Sequence, residues 1–169
     1  MNFFLRIELL DKTKTEIMDK LTDFKKTYPQ FQWEPADNYG ILVQSFGDFL
    51  DKKSIINRLE TALFDKNAFY LYVFEVALTI QVKITLFLDF RREKEIERIS
   101  ESIKQQFQTA KMGEKYIPRI ILAHYKIPSK QQYFVIKKRL SNIDIDLSFK
   151  VNKISLFEGD KKVRSFKLP

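Results

Sequence analysis

The residues that could do acid–base or metal chemistry are few. The chain of 169 residues has no cysteine and one histidine, His124. Thiolate catalysis, disulfides and cysteine- or histidine-rich metal sites are excluded by that count. So is any mechanism that passes a proton between two imidazoles. Asp144 and Asp146 alternate with Ile143 and Ile145 and read as the wet face of a strand, with no third ligand nearby. Glu93, Glu95 and Glu97 open a helical pattern, where the helix dipole favours negative charge. Four glycines in the whole chain leave no glycine-rich phosphate loop.

Charge carries more information. Thirty Lys and Arg oppose 22 Asp and Glu, a formal net charge of +8. Residues 1–110 hold 16 basic and 17 acidic side chains, whereas residues 111–169 hold 14 and 5. The excess therefore lies in the last third, which points to an anionic partner such as nucleic acid. Arg91-Arg92, Lys137-Lys138-Arg139 and Lys161-Lys162 with Arg164 are the local clusters, each equally readable as solvated surface. Hydrophobic residues at 44% provide ample core. No stretch is apolar and long enough for a leader or a membrane span, so the expected location is the cytoplasm.

Periodicity supplies the elements that must position any site. Alternation predicts strands over 3–10, 39–46, 68–80, 82–90, 118–125, 145–157 and 163–168, and steps of three and four predict helices over 13–27, 51–64, 93–108 and 129–140. Thr13 with Glu16 suggests a capping box, Ser129 a cap, PADN (35–38) and Glu158-Gly159-Asp160 turns, and Lys111-Met112-Gly113-Glu114 a loop. The aromatic run Phe69, Tyr70, Tyr72 and Phe74 reads as core or inter-lobe packing. The order β-α-β-α-β-β-α-β-α-β-β, with its two halves alike, predicts an α+β chain with antiparallel sheets and an internal duplication.

Four phrases in order resemble the 2H phosphoesterase superfamily, in its LigT-like 2′–5′ RNA ligase and cyclic phosphodiesterase branch. They are FFLRIELLDKTKTEIMDKL, PADNYGILVQSFGDF, YIPRIILAHYK and the ending ISLFEGDKKVRSFKLP. The resemblance spans nearly the whole chain. It implies a single bilobal domain over residues 1–169, with two pseudo-symmetric lobes of antiparallel sheet plus helices around a central cleft. The family carries a His-x-Thr or His-x-Ser motif on one strand of each lobe, one His acting as base and the other as acid on a phosphodiester.

Aligned on those phrases, the four motif positions are Gly40, Leu42, Arg119 and Ile121. None can shuttle a proton, so the resemblance implies the fold without its catalysis, and no catalytic residue is expected. Arg119 offers a fixed cation that suits phosphate but cannot serve as a base. Simple alternation places Gly40, Leu42, Gln44 and Phe46 on the cleft face of one strand, and Arg119, Ile121, Ala123 and Tyr125 on that of the other. His124 would then face away. The expected ligand contacts are Arg119, Gln44, Phe46, Tyr125 and Tyr39. The function expected is that of a degenerate homologue without a cofactor, which binds RNA ends or a nucleotide as a monomer without hydrolysis. A protein-interaction module with a closed cleft is one alternative. An enzyme built on Tyr39, Gln44 and Arg119 is another.

Overall fold

The computed structural model describes residues 2–47, 51–80, 83–108, 116–126 and 129–169. The expected loop at 111–114, together with Val82 and Pro128, lies outside them. The elements in chain order are β1 (Phe3–Glu8), α1 (Asp11–Thr27), β2 (Gln32–Trp33), a 3-10 turn (Ala36–Asn38), β3 (Gly40–Gly47) and α2 (Lys52–Leu63). Then come β4 (Phe69–Ile80), β5 (Lys83–Phe90), α3 (Lys94–Phe107), β6 (Arg119–Lys126), α4 (Lys130–Ser141), β7 (Ser148–Val151), β8 (Lys153–Glu158) and β9 (Lys161–Lys167).

These strands build two antiparallel sheets, one ordered β3-β1-β8-β9 and the other β2-β6-β5-β4-β7. The unit β1-α1-β3-α2 of the first is matched by β5-α3-β6-α4 in the second. In each unit the first strand pairs with the second after a helix. The expected α+β architecture with a repeated half is what folds.

Alternation decides which face is dry. Leu5, Ile7, Ile41, Ile154 and Leu156 in one sheet, and Leu71, Ile84, Leu86, Leu88 and Ile120 in the other, are all but fully buried. The helices supply their apolar stripes to the same core: Ile17 and Leu21 from α1, Ile55 and Leu59 from α2, Ile96, Ile99 and Ile103 from α3, Ile136 and Leu140 from α4. Each fully buried aliphatic side chain contributes about 1.5–3 kcal/mol relative to exposure. The opposite faces of both sheets carry the polar and partly exposed residues.

Three local expectations change. Helix α1 starts at Asp11, with Leu10 in the capping position and no side-chain cap. Thr13 is buried inside the helix rather than capping it. The predicted strand 145–157 is two strands. A break at Asn152 sends β7 to pair with β4 in one sheet and β8 to pair with β1 in the other. The backbone carbonyl of Asn152 accepts a hydrogen bond from Leu168 N–H at 2.7 Å, holding the crossover. Ser129 does cap α4, accepting from Gln132 N–H. No helix among the described residues is long and apolar enough to cross a membrane.

Candidate functional site

Strands β3 and β6, which carry the four motif positions, lie side by side where the two sheets meet. The phenol of Tyr116, just before β6, donates to the Leu42 carbonyl at 2.6 Å and ties the seam. Burial pushes the Tyr116 phenol pKa well up, so it stays a donor.

On β3, Leu42 faces Arg6 and Gly40 faces Glu8 across the β1 ladder. Arg6 and Glu8 alternate with the buried Leu5 and Ile7, so Gly40 and Leu42 stand on the open face. Leu42 is 55% exposed there. The space above Gly40 is occupied by Arg6: a Cβ at position 40 would come within 2.1 Å of Arg6 Nε and 2.7 Å of its Cζ. Arg6 Nη2 donates to the Asn38 carbonyl at 2.5 Å, which fixes the guanidinium over the glycine. Burial lowers the Arg6 pKa from its ordinary value, and Glu8 acts in the opposite sense. The Glu8 carboxylate is itself held by Lys162 at 2.8 Å. Beside Arg6 opens a hollow of about 440 Å³ lined by Arg6, Lys14, Lys153, Asn38 and the stacked rings of Phe4 and Phe157, with Glu8, Asp11, Asp37 and Asp160 among its other walls.

Simple alternation fails beyond Leu42. Leu5 pairs with Gln44 and Arg6 with Leu42, so Val43 is an extra residue, a β-bulge. Gln44 consequently lies opposite the core residue Leu5, and its amide donates to the Ser45 carbonyl. Phe46 packs on Phe107 of α3 with ring centroids 4.5 Å apart. Neither Gln44 nor Phe46 joins Gly40 and Leu42 on the open face as expected. Tyr39 is 1% exposed, its hydroxyl without a partner among the described residues, and burial raises its pKa. It is a core side chain that also borders the hollow beside Arg6.

Strand β6 repeats the pattern. Arg119 pairs with Asp89 and Ile121 with Phe87, on the open face of β5. The Arg119 guanidinium lies over the Phe87 ring at 4.3 Å, a cation–π contact. Its Nε is buried without a partner, and no carboxylate among the described residues lies within ion-pair distance. Phe87 is 4% exposed, so Arg119 is a lid on an apolar floor.

The ladder then slips. Phe87 pairs with Ile121 but Leu86 with Ala123, and both Leu122 and Ala123 are fully buried. This second bulge reverses the faces of the residues beyond it. His124 pairs with Thr85 on the open face, its Nδ1 3.2 Å from Thr85 Oγ1 and its Nε2 3.9 Å from Glu34 Oε1. Tyr125 goes to the other side and packs on Phe31 at 4.7 Å, in an aromatic group with Tyr28 and Trp33. The two expected orientations are therefore exchanged. Two features escaped the sequence reading: Arg6, signalled only by its alternation with Leu5 and Ile7, and the bulges, signalled in β6 by the apolar pair Leu122-Ala123. Among the described residues no cluster of His, Asp or Glu could hold a metal ion.

Two sheets meeting at paired strands, each strand preceded by a helix in a repeated unit, give this chain a LigT-like fold. Solved structures with the same arrangement include TT0787 of Thermus thermophilus, with 11% identity, a TM-score of 0.72 and cover of 99% of this chain and 98% of that one. Escherichia coli LigT complexed with ATP has 13% identity, a TM-score of 0.68 and cover of 99% and 97%. Usb1 of Kluyveromyces marxianus has 11% identity, a TM-score of 0.66 and cover of 99% and 98%. At these identities what is shared is the fold. No protein-family model matches the sequence, and no curated protein matches it.

Proposed function

We propose that the chain is a catalytically degenerate LigT-like protein that holds an RNA end or a nucleotide by its phosphate and does not hydrolyse it. The observation that carries this reading is the pair of guanidinium groups at the seam. Arg6 lies over Gly40 and Arg119 occupies the other motif position, so both places for a proton-transferring imidazole hold a permanent cation. A guanidinium presents fixed donors to phosphate oxygens but does not take a proton near neutral pH. The hollow beside Arg6, about 440 Å³, falls in the size range of small-molecule sites. Escherichia coli LigT has been seen with ATP and with 3′-AMP on the same fold, which supports the ligand class.

Fluorescence anisotropy with short 5′-phosphorylated RNA tests the reading. Binding weakens from low to moderate salt. Arg119→Ala and Arg6→Ala each weaken it by about tenfold or more, in line with charge-assisted hydrogen bonds of about 1.5–3 kcal/mol. No binding at low salt, or affinity indifferent to both substitutions, overturns it. Brisk cleavage of a 2′,3′-cyclic nucleotide overturns the absence of catalysis.

One observation favours a second reading, residual phosphodiesterase chemistry. The bulge brings the sole imidazole to the open face, in contact with Thr85. Turnover that vanishes in His124→Ala would establish it.

A further inference from the structure

Strand β4 carries a feature that phosphate binding at the seam does not use. Tyr70, Tyr72 and Phe74 occupy alternate positions and are 50%, 50% and 59% exposed, while Phe69, Leu71 and Val73 between them lie in the core. The run expected to pack internally is thus split, and its larger half stands in solvent. Large aromatic side chains gain most from burial, so three in a row left open mark a binding face.

The row continues into the site. Glu75, beside Phe74 at a register shift, pairs with Asp89, and Asp89 pairs with Arg119. At the other end Tyr70 pairs with Lys150, and Tyr72 accepts through its carbonyl from the backbone of the exposed Arg91. An open sheet face therefore runs from Arg119 past three rings to Lys150. Same-face side chains on a strand repeat about every 6.5–7 Å, and the Tyr70 and Tyr72 rings are 6.4 Å apart. Rings at that interval, with cations at both ends, offer successive bases a surface and the backbone a counter-charge.

Resting on the phosphate-binding reading above, we infer that the ligand is a single strand of RNA several nucleotides long, its terminal phosphate at Arg119 and its following bases stacked on Phe74, Tyr72 and Tyr70. Lys150 and Arg91 neutralise the backbone along the way. Charge complementarity selects this occupant over an apolar protein segment: Arg119, Lys150 and Arg91 along the row outnumber Glu75 and Asp89, and the chain carries a net charge of +8. Stacking selects a single strand over a duplex, whose bases are already stacked and covered.

The test compares labelled 5′-phosphorylated RNAs of two and eight nucleotides on the full chain. The octamer is expected to bind at least tenfold tighter. Tyr70→Ala, Tyr72→Ala and Phe74→Ala together remove that gain, costing the octamer more than the dinucleotide, which is too short to reach Tyr70, while each single change costs the octamer roughly fivefold or more. Tyr72→Trp retains the gain, which a merely structural role would not predict. A duplex of the same length fails to compete. Dinucleotide binding that depends on Arg119 but does not improve with length overturns this inference and spares the phosphate reading. Absence of binding by both RNAs overturns the two together. Equal loss for both lengths in the triple variant, effective competition by the duplex, or a protein segment that binds the patch while the octamer does not, also overturns it.

Discussion

The guanidinium of Arg6 lies where the side chain of residue 40 would begin: a Cβ on Gly40 would sit 2.1 Å from Arg6 Nε. The glycine and the arginine are one feature. The empty position on β3 makes room for a cation delivered from β1, and the Asn38 carbonyl fixes it there.

Restoring a side chain at position 40 must therefore displace Arg6. The clashing atoms belong to the flexible end of a long side chain, so the backbone need not move. The cost of Gly40→Ala is the lost bond to Asn38, about 1.5–3 kcal/mol for a charged donor. In an Arg6→Ala background the same change is nearly neutral. Urea unfolding midpoints of the four proteins of this cycle check it, and additive losses would contradict the steric account.

Tyr125 and Tyr39 are expected to affect stability and not binding. Tyr125→Ala removes a ring that packs on Phe31 and lowers stability by about 1–3 kcal/mol. Tyr39→Phe deletes a buried hydroxyl that has no partner among the described residues, and is neutral or stabilising. RNA affinity at a temperature where both variants are folded stays at the wild-type value. A tenfold loss in either would return that residue to the site.

The seam bond from Tyr116 to the Leu42 carbonyl has a pH signature. The folded phenol pKa is raised by burial, so the folded state keeps its proton longer than the unfolded state does. The stability this contributes is intact below about pH 10, the unfolded value, and is lost as pH rises through the folded one. At pH 8 Tyr116→Phe is less stable by about 0.5–1.5 kcal/mol, the usual net worth of a hydrogen bond. Above pH 10 the wild-type protein loses stability faster than the variant. Paired urea titrations at pH 8 and pH 11 measure the difference, and parallel behaviour would rule the phenol out as the cause.

Composition and periodicity alone establish what chemistry is closed to this protein and which elements it builds. One imidazole and no thiol are facts of composition, independent of folding. The helix stripes of Ile17 and Leu21, or of Ile96, Ile99 and Ile103, and the alternation of β1 and β5, are local periodicities that any fold of the chain must bury. Orientation past the first residues of β3 and β6 was not local. A single extra residue at Val43, and another at Leu122-Ala123, reverses the side chains that follow it, in β3 until a second shift at Phe46, because the strand period is two. Whether a strand bulges depends on its neighbours across the ladder, which are distant in sequence. The same holds for Asn152, where an apparently continuous strand divides between two sheets, and for β4, whose outer rings stay open because nothing among the described residues crosses over them. Assembly of the two sheets was needed to put Arg6 over Gly40, to exchange the faces of His124 and Tyr125, and to leave Tyr70, Tyr72 and Phe74 in solvent.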